Sequence, residues 1–124
     1  MRLWLTLAAL AGFVCVAAGA FAAHGMGDPR GQELIRTGSL YGFVHVLASL
    51  ACLPLIRAGA ARARFAPPLF LAGVAMFCGS LYALAFGAPR LVGAITPVGG
   101  LAFLAGWLML AWAAASQKST PGAR

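Results

Sequence analysis

Four long apolar runs constrain the fold of this chain more than any other feature of its sequence. Each is close to the ~20 residues that an α-helix needs to cross a bilayer. The runs are continuous rather than alternating, which excludes a membrane β-barrel, the only other structure that satisfies its backbone in lipid. The sequence therefore predicts an all-α integral membrane four-helix bundle. Its helices are expected at about residues 3–23, 38–56, 66–87 and 96–115.

The segments between these helices complete a single transmembrane domain over residues 1–124. They are an outer loop at 24–37, a basic inner loop at 57–65 and a C-terminal tail at 116–124. Within the outer loop, Asp28-Pro29 combines a capping residue with proline at the first helical position. An interfacial helix could therefore begin near Pro29 and continue through Arg36, so that the chain enters the membrane around Gly38.

Thr96-Pro97 leaves two alternatives for the fourth helix. Pro97 could kink a longer helix, because it removes one backbone donor and clashes with the preceding turn. It could instead mark the start, with Thr96 as N-cap and Pro97 as the first helical residue. We favour the start, with residues 90–95 as a short interfacial segment.

The composition identifies the bilayer as the solvent of most of the chain. Hydrophobic residues make up 62% of it and charged residues only 9%, whereas a soluble domain has roughly 25% charged residues. The basic residues that give the chain its net charge of +7 lie between the apolar runs. Contact with anionic lipid headgroups therefore explains the charge better than binding to nucleic acid does. We expect the bilayer as partner and no nucleic acid.

The distribution of basic residues predicts the orientation. Six of them would share one side of a four-span protein and three the other. The positive-inside rule then places both termini in the cytoplasm. The six are Arg2, Arg57, Arg62, Arg64, Lys118 and Arg124, and the three are Arg30, Arg36 and Arg90.

The end of the first run resembles a signal-peptide cleavage site, because residues 20–22 read Ala-Phe-Ala. However, the run is longer than the 7–15 apolar residues of a typical signal peptide. It also carries small residues at every fourth position, a pattern typical of close helix packing. We therefore expect a retained helix and a mature protein that begins near Met1. The small residues are Ala11, Cys15, Gly19 and Ala23, and the third helix has an equivalent face of Ala75, Gly79, Ala83 and Gly87.

Four segments resemble a known family when they are taken together and in order. They are GAFAAHG (19–25), TGSLYGFVHVLA (37–48), FLAGVAMFCGSLYALA (70–85) and ITPVGGLAFLAGWLML (95–110). The chain is similar to the YgdD-like small membrane proteins, the family called domain of unknown function 423. This resemblance implies a four-helix protein of the bacterial inner membrane with its first helix retained, and it implies no reaction. Family members commonly carry Tyr-Gln before the histidine of helix two, where this chain has Tyr41-Gly42.

Helix two carries a polar stripe, formed by Thr37, Tyr41, His45, Ser49 and Cys52. At 100° per residue these positions cover a strip about 120° wide. A polar strip facing lipid is costly, so it should face the bundle interior, with His45 beside helix one. It could line a site or a path open to the outside. Alternatively it forms interhelical hydrogen bonds only, and this interpretation is favoured because no carboxylate lies within a span.

A second candidate is a cluster at the outer ends of helices one and two, which could bind a metal ion or a small solute. The alternative is that these residues are solvated or cap the loop, and we favour it because the ligands are spread widely along the chain. The cluster consists of His24, Glu33, Arg36, Tyr41 and His45. With Ser49 of the stripe, these are the candidate site residues.

No set of nucleophile, base and orienting residue occurs at a recognisable spacing, so we expect no enzyme, no catalytic or metal residue and no cofactor. The three cysteines lie inside apolar runs and are expected to pack as small hydrophobic residues.

These features leave two hypotheses for the function. The first is a non-enzymatic membrane component or accessory protein that contacts itself or another membrane protein. The second is an oligomeric small-solute transporter or channel that uses the polar stripe.

Overall fold

The computed structural model describes residues 2–117, and every regular element in that range is helical. Predictions about Met1, Lys118 and Arg124 lie outside the described residues. The elements are α1 (Arg2–His24), α2 (Pro29–Arg57), a 3₁₀ helix (Ala61–Phe65), α3 (Ala66–Gly73), a π-helical turn (Val74–Cys78), α4 (Gly79–Ala85), a second 3₁₀ helix (Arg90–Ala94) and α5 (Ile95–Ala115).

These elements form four helices that are long and apolar enough to cross a membrane, as the sequence predicts. Two of the four are α1 and α2. The other two are composite: the third span covers Ala61–Ala85 and the fourth covers Arg90–Ala115.

The second helix begins at Pro29 and runs without interruption to Arg57, so most of the expected outer loop is helical. The cap explains this start. The Asp28 carboxylate accepts hydrogen bonds from the backbone N–H groups of Arg30 at 3.3 Å and Gly31 at 3.0 Å. Pro29, in the first helical position, has no N–H that would need a partner.

The fourth span contains Pro97 in the first turn of α5, which begins at Ile95. In that turn the missing N–H costs little, because first-turn N–H groups have no partner within the α-helix. Thr96 is not the N-cap: Ala94 holds that position without a side-chain hydrogen bond. The Thr96 hydroxyl instead contacts the hydroxyl of Ser80 on α4, and so joins the last two spans.

Helix α1 packs on α2 through small residues. Its buried residues are Ala8, Cys15 and Ala22, which are seven apart. Seven residues are close to two helical turns, whereas steps of four drift by about 40° each around the helix. For this reason Ala23, expected in the packing face, is exposed, and Ala22 takes its place.

The third and fourth spans approach closely at glycines. A Cβ atom at Gly73 would lie 2.4 Å from the ring of Phe103. A Cβ atom at Gly106 would lie 2.6 Å from the ring of Phe70. The third helix does not use the expected small-residue face to pack against its neighbours. Ala75 and Gly79 are exposed, and the buried residues around the π-helical turn are Gly73, Val74 and Cys78.

Candidate functional site

His45 is the buried imidazole of the polar stripe. It lies in the middle of α2 and is 5% exposed. Its ring stacks on Phe103 of α5, with centroids 3.6 Å apart and planes 8° apart. The rings of Trp107 and Phe70 lie at 5.8 and 5.6 Å from it. His45 is therefore surrounded by aromatic rings from the third and fourth spans.

Both ring nitrogens of His45 have hydrogen-bond partners. The Trp107 Nε1–H donates to Nε2 of His45 at 3.0 Å. An indole nitrogen can only donate, so Nε2 must accept and carry no proton. The ring proton then lies on Nδ1, which donates to the carbonyl oxygen of Tyr41 at 2.6 Å. This arrangement requires a neutral imidazole in one tautomer.

The expectation that His45 lies beside helix one is wrong. Helix α1 contacts the face of α2 that carries Ser39 and Val46. His45 is one residue from Val46, which is about 100° of rotation around the helix. That rotation turns the imidazole away from α1 and towards α5.

The inner part of the stripe is bonded to its own helix. Ser49 is buried, and its hydroxyl donates to the carbonyl oxygen of His45 at 2.8 Å. The Cys52 thiol likewise donates to the carbonyl oxygen of Ala48, at 3.2 Å. Among the residues that the structure describes, every buried side-chain nitrogen or oxygen has a hydrogen-bond partner. This part of the stripe thus leaves no polar group free for a solute.

Of the outer candidate residues, Tyr41 joins His45, with ring centroids 6.4 Å apart, and the other three do not. His24, Glu33 and Arg36 are exposed, and Tyr41 is 46% exposed. Within residues 2–117 no group of three His, Cys, Asp or Glu side chains is placed to hold a metal ion. The outer cluster, which the sequence offered as the less favoured alternative, is therefore not assembled as a metal site among the described residues.

A groove of about 400 Å³ lies beside His45, between α2 and α5. It is open to the side of the bundle, and most of its lining is apolar or aromatic. The lining residues are Leu40, Tyr41, Val44, His45, Phe77, Gly100, Phe103, Leu104 and Trp107. The sequence did not lead us to predict that residues of the fourth span form one side of this groove. The signal available there was the spacing of Phe103 and Trp107, four residues apart and hence on one helix face.

A second polar contact, between α1, α2 and the third span, explains Gly42. A Cβ atom at this position would lie 2.5 Å from Sγ of Cys15 and 2.9 Å from Sγ of Cys78. The Cys78 thiol donates to the carbonyl oxygen of Gly38 at 3.0 Å. Two sulfur atoms thus occupy the space in which a larger residue at position 42 would place its side chain.

Comparison with known proteins gives a consistent result over most of the chain. A family model described as "Protein of unknown function (DUF423)" matches residues 18–100. The UPF0382 membrane protein of Haemophilus influenzae is 44% identical over 119 residues, which are 94% of this chain and 96% of that protein. The UPF0382 inner membrane protein YgdD of Escherichia coli K12 is 40% identical over 113 residues, 88% of this chain and 86% of that protein. No solved structure matches the chain.

The comparisons and the four spans agree on the location. The two relatives are named as membrane proteins, and the second as an inner membrane protein. The described chain contains four helices that can cross a bilayer. It is a multi-pass protein of the bacterial inner membrane.

Proposed function

This chain belongs to the DUF423 family of membrane proteins, and we propose that it is a non-enzymatic accessory component that acts by contact with another membrane protein or with copies of itself. The observation that carries this proposal is the apolar groove between α2 and α5. A transmembrane helix that entered it from the side would cover aromatic rings and approach the backbone closely at Gly100. Small residues and shape complementarity of this kind drive helix association in lipid.

The state of the buried polar groups supports the same proposal. His45 donates and accepts within the chain, and Ser49 is bonded to its own helix. The only two acidic residues, Asp28 and Glu33, lie at the start of α2 rather than within the apolar part of a span. These polar side chains are thus engaged within the chain, and the groove surface is what the protein offers to a partner.

An oligomeric small-solute transporter or channel is the second candidate. The observation in its favour is Tyr41, which is 46% exposed and lies one turn from His45 along the groove. A path along the stripe would need polar groups free to bind a solute. His45 and Ser49 are already engaged, so this function ranks second.

Photo-crosslinking in bacterial membranes tests the accessory function. We replace Leu104, 61% exposed in the groove, with p-benzoylphenylalanine, and Leu10, 57% exposed on α1, as the matched control. We expect a discrete light-dependent protein adduct from position 104 and none from position 10. Two differently tagged copies of the chain, expressed together, then distinguish self-association from a second protein. The proposal would be contradicted if position 104 gave no protein adduct, or if both positions gave the same adduct.

We also propose that both termini lie in the cytoplasm. The charge distribution supports this orientation, because Arg57, Arg62 and Arg64 lie at the end of the bundle where α1 begins and α5 ends. A reporter that is active only in the cytoplasm should be active when fused after Arg124, and one that is active only in the periplasm should not. The opposite pattern would overturn the orientation.

A further inference from the structure

The end of the bundle that carries the loop after α2 contains a polar cavity of about 510 Å³. The loop and the last residues described after α5 form its walls. The lining residues are Ala58, Gly59, Ala60, Ala61, Arg62, Ala113, Ser116 and Gln117. The cavity lies at the ends of spans, which is the depth of lipid headgroups.

Backbone hydrogen bonds hold the loop in shape. The N–H groups of Ala58 and Ala60 donate to the carbonyl oxygens of Pro54 at 2.9 Å and Leu55 at 3.0 Å. Gly59 has a φ of +103°, a conformation that favours glycine and lets the chain turn sharply. The Gln117 amide donates to the carbonyl oxygen of Ala58 at 3.3 Å, so the end of α5 is joined to the loop.

Arg62 gives the cavity its charge. Its guanidinium carbon lies 4.4 Å from the centroid of the Trp112 ring, a cation–π contact that holds the group near the cavity. Arg57 and Arg64 lie in the same loop region. The two acidic residues of the chain are near the other end of α2, about 40 Å away for a helix of this length. Within residues 2–117, no acidic side chain therefore lies at this end of the bundle.

We propose that this cavity binds the phosphate group of an anionic phospholipid, with Arg62 as its principal ligand. A guanidinium offers two parallel N–H donors that match phosphate oxygens. Basic pockets between helix ends are suited to such headgroups, and the acyl chains would lie along the bundle. The site is separate from the groove beside His45, so its test does not depend on the proposed accessory function.

Native mass spectrometry of the detergent-purified protein tests the site. The probes are dioleoyl phosphatidylglycerol, dioleoyl phosphatidylcholine and inorganic phosphate. The control for Arg62→Gln is Arg90→Gln, which removes an exposed arginine at the opposite end. We expect phosphatidylglycerol to bind more tightly than phosphatidylcholine, and Arg62→Gln to weaken its binding about fivefold, the effect of one charge near a membrane surface. Arg90→Gln should leave the binding unchanged.

A second variant, Ser116→Trp, fills the cavity and keeps every arginine, so it should also weaken phosphatidylglycerol binding. Equal effects of Arg62→Gln and Arg90→Gln would overturn the proposal, as would equal binding of the two lipids. If inorganic phosphate binds as tightly as phosphatidylglycerol, the ligand is a soluble anion, and the lipid assignment is wrong.

Discussion

Replacement of Gly99 by alanine is expected to destabilise the bundle by about 1–3 kcal/mol, the usual cost of overpacking a close contact. The new Cβ atom would lie 2.5 Å from the backbone nitrogen of Phe77 and 2.9 Å from its Cα atom. These are backbone atoms of the third span, so no side-chain rotation can relieve the contact and the two spans must separate. The free energy of unfolding in mixed detergent micelles measures the effect.

The neighbouring residue supplies a matched control. A Cβ atom at Gly100 would meet nothing within 4 Å. Gly100→Ala should therefore be neutral, or slightly stabilising because alanine favours the helix by up to about 1 kcal/mol. Equal destabilisation by the two substitutions would show that the third and fourth spans do not pack in the way described.

The second large effect is expected for His45→Ala, which should destabilise the protein by about 2–4 kcal/mol. The substitution removes the ring that stacks on Phe103 and leaves the N–H of Trp107 without its acceptor. It also leaves a cavity among aromatic rings that pack against the site. Val44→Ala is the control, because Val44 lies one residue away and is 45% exposed at the side of the bundle, where lipid can fill the space.

A double-mutant cycle separates the hydrogen bond from the packing. Its variants are His45→Phe, Trp107→Phe and the two together, which keep aromatic rings at both positions. We expect a coupling energy of about 0.6 kcal/mol, and at most about 1.7 kcal/mol, as for other hydrogen bonds between membrane helices. A coupling energy of zero would contradict the bond between Nε1 of Trp107 and Nε2 of His45.

These variants also link stability to the proposed function. The groove is formed in part by His45, Phe103 and Trp107, so a loss of their packing should change its shape. Gly99 contacts Phe77, which lines the same groove. The bundle core and the proposed partner surface therefore share residues. Val44 lines the groove but is 45% exposed, so Val44→Ala should alter the partner surface and leave the core packed.

The sequence alone determined that the chain has four helices apolar enough to cross a membrane, and it determined the family. These features depend on local properties, chiefly the length of each apolar run against the thickness of the bilayer. Asp28-Pro29 likewise indicated a helix start, because capping involves only residues close together in the chain. The basic loop at 57–65 was evident for the same reason.

Only the tertiary structure decided which face of each helix meets a neighbour. Apart from the polar stripe of helix two, the helices are apolar on all sides. The hydrophobic effect does not orient one helix against another in lipid, so periodicity indicates the contact face poorly. Small-residue spacing correctly pointed to Cys15 but not to Ala23 or to Ala75 and Gly79. The partners of His45 lie about sixty residues away along the chain, at Phe103 and Trp107. Gly99 and Gly100 are identical and adjacent in the sequence, and only the packing of the third span against α5 gives the first a contact and the second open space.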